Sequence, residues 1–403
     1  MSAIGRGQNL SPRRLMFWLH IWVGLAFCVP FALLGITGSL LVYEQPIDDV
    51  FWPQSQATAS GVMHSPQAII EAAAKARAGL AANSLSLPQE AGDPAVVRLT
   101  ERGAGRGGPR GPNYQALIDP VSLQVLDLHL GARSAFMGWV HDFHGSLLIG
   151  GREGRSVIGW MGVGMLALGL SGIVLWWPRR NRWRDAYGVK KGARGWLFHR
   201  QLHGTTGITA WLLFIVLSFS GTAIAFPQTT ASFVRVILFQ GPSTAAPAAG
   251  PGAPAIRVAP VEGQERIDAD KALAIAMAAV PGSHLVTMFL PVGREQPYRL
   301  FLLPNGAAQG SPPVAVFVDP YRAQTISVRN PWAGDLGDSV ITWQRPLHTG
   351  RGTNAVYRAS IFLVGLLPAL FAITGAGMWW TKRRARARSA ADSDAILQGV
   401  AAE

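Results

Sequence analysis

The chain has 403 residues, 49% of them hydrophobic, and its 36 Lys and Arg against 23 Asp and Glu give a net charge of +13. One cysteine, Cys28, excludes a disulfide framework. The basic excess is not a nucleic-acid footprint, because residues 44–155 and 227–353 together hold 19 basic and 19 acidic residues.

The first apolar segment, residues 15–43, carries no formal charge. It is longer than a signal-peptide core and lacks a small-residue cleavage motif, so it reads as a retained transmembrane span with a local kink at Pro30. Residues 156–177, 199–226 and 354–380 supply three more stretches near the ~20 apolar residues a bilayer demands, the last with Pro368 inside it. The flanks 1–14, 178–198 and 381–403 are rich in Lys and Arg. Residues 1–19, 178–198 and 381–403 carry 15 basic and 4 acidic residues, a net of 11. By the positive-inside rule both termini and the loop 178–198 are cytoplasmic, where they also meet anionic lipid headgroups, and 44–155 and 227–353 face outward.

The chain reads as an internal duplication. His20 precedes Gly24 and Gly38 by 4 and 18 residues, and His203 precedes Gly207 and Gly221 by the same spacings. His144 stands 28 residues before Gly172 and His348 stands 27 before Gly375; each glycine is followed by a Trp pair, Trp176-Trp177 and Trp379-Trp380, and then by basic residues. In the outward segments, SPQAIIEAAAKARAGL (65–80) has a Ser cap and a Pro at the first helical position. Strand-like runs follow at 96–100, 114–118 and 121–128. The second copy predicts a helix near 268–280 and strands at 285–290, 298–303 and 314–318. Asp119-Pro120 and Asp319-Pro320 read as turns, so each segment is predicted as an α+β domain of its own. The Gly/Pro/Ala-rich stretches 102–112 and 241–260 read as surface insertions.

Of nine histidines, His64, His129 and His284 lie in the outward segments without partners at suggestive spacing. His20, His141, His144, His199, His203 and His348 lie at or near helix ends, where an imidazole is costly unless it serves a pathway or bonds a backbone carbonyl. Two symmetry-related imidazoles facing each other across a helical bundle can hold a b-type haem, one axial nitrogen from each of two helices. The repeat pairs His20 with His203 near the cytoplasmic face and His144 with His348 near the outward face, which predicts two haems per chain. His199 and His141 are further candidates at i, i+4 and i, i+3 spacing from the matched members. Gly24, Gly38, Gly207 and Gly221 suit close approach of a flat ring or of another helix. Arg155 and Arg358 can pair with haem propionates or anchor headgroups. A zinc site would require Cys, Asp or Glu beside the histidines, and no carboxylate lies within a span. No Walker A sequence, Rossmann fingerprint or Ser–His–Asp set is present, so electrons would arrive from a quinol or a separate cytoplasmic reductase.

The motifs LHIWVGL and LHGTTGI, FHGSLLIGGREGR and PLHTGRG, and ITGSLLV, LSGIVLWWPRR and ITGAGMWWTKRR resemble those of the PepSY-associated transmembrane proteins over nearly the whole chain. That resemblance implies a four-transmembrane-helix bundle with two α+β PepSY-like periplasmic domains in a bacterial inner membrane. Some relatives are di-haem reductases that release iron from ferric siderophores. By position it implies His20 and His203 as ligands of one haem b, His144 and His348 of the other, and a ferric siderophore or other ferric chelate as the periplasmic substrate. Two other readings stand beside it: a non-redox protein whose outward domains bind peptides or restrain proteases, and a siderophore or metal permease.

Overall fold

A computed structural model describes residues 11–51, 57–58, 60–90, 92–101, 114–131, 134–178, 183–241 and 256–401. The tail with Arg6, the insertion 102–112 and most of 241–260 lie outside them. Helices α1 (Pro12–Ala26), α2 (Cys28–Val42), α3 (Glu44–Phe51) and α4 (Pro66–Lys75) lead to strands β1 (Leu80–Ser86), β2 (Ala95–Glu101), β3 (Tyr114–Ile118) and β4 (Val125–Leu130). Helices α5 (Ala135–Ser146) and α6 (Gly151–Trp176) follow, then the short α7 (Trp183–Ala186). The second half repeats this order: α8 (Gly195–Ala225), α9 (Pro227–Ile237), α10 (Ala269–Ala279), β5 (Ser283–Phe289), β6 (Tyr298–Pro304), β7 (Val314–Asp319), β8 (Gln324–Arg329), α11 (Leu336–Thr349) and α12 (Ala355–Ala401). The chain divides into two compact units: a helical one of residues 1–42, 140–226 and 355–403, and a sheet unit of 43–139 and 227–354.

Among the described residues, α6, α8 and α12 are each long and apolar enough to cross a membrane. The stretch read as one first span is built of two helices, α1 and α2, bent by 68°, which together are long and apolar enough for a fourth, broken span. Pro30 explains the break. It has no N–H for the Ala26 carbonyl and its ring crowds that oxygen, so α1 stops at Ala26 and the chain turns at Phe27. Pro368 breaks nothing in α12, which runs 47 residues and continues through the basic tail. Large apolar side chains point outward all around the unit, Trp160 at 68% and Ile373 at 66% exposure among them, as helices surrounded by lipid rather than water should.

Small residues set the helix spacing. A Cβ on Gly35 would collide with the Gly365 carbonyl, and one on Gly365 would strike Ser39 Oγ, which itself donates to the Phe362 carbonyl at 2.8 Å. This locks α2 against α12 by the small-xxx-small device of membrane helices. Gly159 and Gly162 likewise admit Phe226 and Thr222, and Trp211 Nε1 donates to the Gly169 carbonyl at 3.0 Å, joining α6 to α8.

The sheet unit differs from the expectation of two separate domains. Its eight strands form one antiparallel sheet in the order β4-β3-β2-β1-β5-β6-β7-β8, joined where Ser84, Leu85 and Ser86 face Phe289, Met288 and Thr287. β1 and β8 were not among the predicted strands; β1, Leu-Ala-Ala-Asn-Ser-Leu-Ser, has little β-branched or aromatic character and is held by its partners on both edges. Both halves feed one core, in which Ile69, Leu85, Val97 and Leu99 meet Met288, Leu300, Leu302 and Val316. Helices α4 and α10 pack on the sheet, capped by Ser65 and Asp268, and their starts are tied by Gln67 N–H to Asp270 at 2.9 Å and Ala269 N–H to Gln67 at 3.1 Å.

The two Asp-Pro turns share one design. Asp119 accepts the N–H groups of Val121, Ser122 and Thr58 and the Thr58 hydroxyl; Asp319 accepts the N–H groups of Tyr321 and Arg322 and the Arg322 guanidinium. The Pro120 and Pro320 carbonyls then each take one N–H, from His64 and Ile267, at 2.8 Å. Burial pushes both carboxyls up, but these hydrogen bonds outweigh it and hold both below the ordinary carboxylate range.

Gly365→Leu is expected to lower stability by about 1–3 kcal/mol through overpacking, seen as a lower thermal midpoint in detergent, while Gly188→Ala, whose Cβ meets nothing within 4 Å, leaves it unchanged. Because the folded-state pKa of Asp319 is depressed, its stabilisation is present above the unfolded value of ~3.9 and is lost as pH falls through the folded value. Asp319→Asn should therefore cost about 1–3 kcal/mol at pH 7 and show a shallower loss of stability than the parent below pH ~4, measured by denaturation across pH.

Candidate functional site

A cavity of about 1410 Å³ lies within the helical unit, lined by α1, α6, α8 and α12. It is larger than the ~300–1,000 Å³ usual for small-ligand sites. His20 on α1 and His203 on α8 both line it, their ring centroids 6.3 Å apart and their planes at 73°. Phe371 packs on the His203 ring at 4.8 Å. Gly24, Gly172, Gly207 and Gly375 lie in the same wall. A Cβ at Gly172 would come to 3.6 Å from the His20 ring, whereas one at Gly375 would meet nothing within 4 Å, so these glycines keep the space beside the imidazoles clear. Arg13, Arg14, Lys190, Arg200, Lys382 and Arg383 also line the cavity, with Arg383 stacked over Trp379 at 5.2 Å and Arg200 over Trp196 at 5.4 Å.

Hydroxyl groups fix which imidazole nitrogen carries the proton. His20 Nδ1 lies 2.8 Å from Ser171 Oγ, and His203 Nδ1 lies 2.8 Å from Thr374 Oγ1. Ser171 already donates its one hydrogen to the Leu168 carbonyl at 3.1 Å, and Thr374 donates to the Leu370 carbonyl at 2.8 Å. Each hydroxyl must therefore accept from the histidine. The neutral rings carry their hydrogen on Nδ1 and a lone pair on Nε2, the arrangement that second-shell partners impose on metal-ligating histidine. Among the described residues neither ring makes another hydrogen bond.

The neighbouring histidines have different surroundings. His199, one turn before His203, lies against Gly377 of α12, where an added Cβ would sit 2.8 Å from its Nε2, and its Nδ1 is buried without a hydrogen-bond partner among the described residues. His141 on α5 is 49% exposed beside Asp142 at 3.7 Å. His144, one turn further on, donates Nδ1–H to the Leu34 carbonyl at 3.1 Å and lies 3.3 Å from Thr37 Oγ1. A carbonyl only accepts, so His144 also carries its hydrogen on Nδ1. Gly38 makes room for it: a Cβ there would sit 2.7 Å from His144 Cε1.

His348 stands in the last turn of α11, within the sheet unit, while His144 belongs to the helical unit. Arg155 is exposed near the start of α6, and Arg358 donates to the Val42 carbonyl at 3.1 Å, tying α12 to α2. His129 is held by Asp127 and Gln115, and His284 by Asn305. No group of three or more His, Cys, Asp or Glu converges as metal ligands among the described residues. The sequence reading gave these hydroxyls no role. Their signal was present: Thr37, Ser171, Ser220 and Thr374 each immediately precede one of the repeat glycines, Gly38, Gly172, Gly221 and Gly375.

A search of curated proteins finds no match. A family model described as the PepSY-associated TM region matches residues 17–382, which take in α6, α8, the first part of α12 and both strand-bearing segments. The chain is a member of the PepSY-associated TM region family.

Proposed function

We propose that the chain is an inner-membrane b-type di-haem reductase that passes electrons across the membrane to reduce iron held by a ferric siderophore or another ferric chelate in the periplasm. The observation that carries this reading is the His20–His203 pair. The two rings line one cavity from α1 and α8, their centroids 6.3 Å apart, where they could hold a metal-centred group between two helices. Both rings are held by their Nδ1–H groups, which leaves the Nε2 lone pairs as ligands.

In this reading a bound haem b supplies one-electron transfer without a proton. The protein supplies the rest. His20 and His203 would hold the cytoplasmic-side group, with the cations of the cavity wall available for its carboxylates. For the second haem the candidate on the helical unit is His144, bonded to the Leu34 carbonyl beside Gly38, and His348 is its match in the sequence repeat. Ser171, Thr374 and Thr37 orient the imidazoles, and the apolar helices keep water from the path. Both termini and the loop 178–198 would lie in the cytoplasm, where a quinol or a separate reductase donates electrons. Reduction releases iron because Fe(II) binds hard oxygen chelators far more weakly than Fe(III) does. The repeated element order supports the internal duplication behind these pairs.

A dithionite-reduced minus oxidised spectrum of the purified protein, with pyridine haemochrome quantitation, should show two b-type haems per chain. His203→Ala and His144→Ala should each lose one of them. Absence of b-type absorbance in protein from haem-replete cells would overturn the proposal. Thr374→Val removes the Nδ1–H acceptor while preserving shape, and is expected to shift the midpoint potential of one haem and weaken its retention about 10–100-fold, with Thr374→Ser restoring both; unchanged potentials would reduce Thr374 to a packing residue.

A further inference from the structure

The sheet presents one face to α4 and α10, and the register defines what lies on the other. One row reads Phe289, Arg299, Phe317 and Ser327 across β5 to β8; the next reads Thr287, Phe301, Ala315 and Arg329. The Arg299 guanidinium lies over Phe289 at 4.2 Å and within 5.4 Å of Phe301, and that of Arg329 lies over Phe317 at 4.8 Å. Stacking occupies the flat faces of both cations and leaves their N–H edges as donors.

Those edges are unused. Among the described residues the side chains of Arg299 and Arg329 make no hydrogen bond or ion pair, and the Nε of each is buried without a partner. Four arginines of the unit are matched by carboxylates, Arg235 by Asp335 and Asp338, Arg257 by Glu295, Arg322 by Asp319 and Arg351 by Glu44. Asp319, the acid at the end of β7, is already taken by Tyr321 and Arg322. The register sets Arg299 on β6 and Arg329 on β8 in adjoining rows of the same face, on either side of β7 and its Phe317; burial first, and then the Arg329 charge, pushes the Arg299 guanidinium below its ordinary pKa. Folding alone gives no reason to set two partly buried, uncompensated guanidinium groups together on phenyl rings. An anion bound to both removes the repulsion and satisfies the free N–H edges.

We infer that Arg299 and Arg329, stacked on Phe289, Phe301 and Phe317, form a binding site for a small organic ligand carrying at least two anionic oxygens, a polycarboxylate or a catecholate. The site stands on the sheet geometry alone; if the reductase reading also holds, it names the class of chelate delivered for reduction. The test is isothermal titration of the purified full chain with citrate, gallium(III) tris-catecholate, inorganic phosphate and an uncharged gallium(III) hydroxamate. Gallium does not undergo the redox step, so binding is read whether or not haem is present. Saturable binding of citrate or the catecholate complex is expected, weakened at least tenfold in Arg299→Gln and in Arg329→Gln and by added salt. Which of the two binds tells the ligand sources apart. Arg299→Lys and Arg329→Lys keep the charge and the fold but lose the planar fork, and should weaken binding at an unchanged thermal midpoint. Equal affinity in the parent and these Lys variants would overturn the site, as would binding of phosphate alone, hydroxamate binding as tight as that of the anions, or no saturable binding at millimolar ligand. A chain without haem that still binds the anions would refute the reductase and leave this site standing.

Discussion

A serine or threonine inside an apolar helix has one hydrogen to give, and in Ser171, Thr374 and Thr37 it goes back to a carbonyl three or four residues earlier. The setting of His20 and His203 follows from that. The hydroxyl oxygen becomes an acceptor facing a neighbouring helix, and an imidazole in range must present Nδ1–H to it. The ring is thereby oriented, its hydrogen is placed, and its other nitrogen is left as a lone pair. Glycine at the next position completes the device. At Gly38 the missing side chain is what lets His144 come close, and at Gly172 a side chain would touch the His20 ring.

The same economy governs the helix contacts. Lipid tails are as apolar as leucine, so membrane helices associate by close fit and hydrogen bonds rather than by expelling water. Gly35, Ser39 and Gly365 bring α2 and α12 to backbone contact, and the Arg358 guanidinium adds a bond from α12 to the Val42 carbonyl at the end of α2. Outside the helices the rule changes. The sheet unit is held by burial of Ile69, Leu85, Leu99, Met288, Leu300 and their neighbours, a core that draws on both halves of the chain. Neither half has its full core alone, because the β1–β5 seam puts Leu85 and Met288 side by side at its centre.

Uncompensated charge is the feature this unit does not need for folding. Arg235 shows what a structural arginine looks like here: it bridges Asp335 and Asp338 and fastens α9 to α11. Arg299 and Arg329 have stacking partners and no counter-charge among the described residues. Such a pair is the signature of a surface shaped for something other than its own stability.

The sequence by itself determined whatever depends on near neighbours. A run of ~20 apolar residues is long enough to cross a membrane, so α6, α8 and α12 were legible, as were the capped start of α4, the helix α10 and the two Asp-Pro turns, in which Asp119 and Asp319 accept N–H groups two and three residues further on. The spacing of His20 and His203 to their glycines was legible for the same reason. Only the tertiary structure decided what depends on partners hundreds of residues away. β1 has no strand signal of its own and exists because β2 and β5 offer it hydrogen bonds on both sides. Periodicity placed His199 and His203 on one face; the structure puts His203 into the cavity and His199 against Gly377. The bend at Phe27 turned a single predicted span into two helices, because Pro30 withholds one hydrogen bond and crowds the carbonyl it should have met.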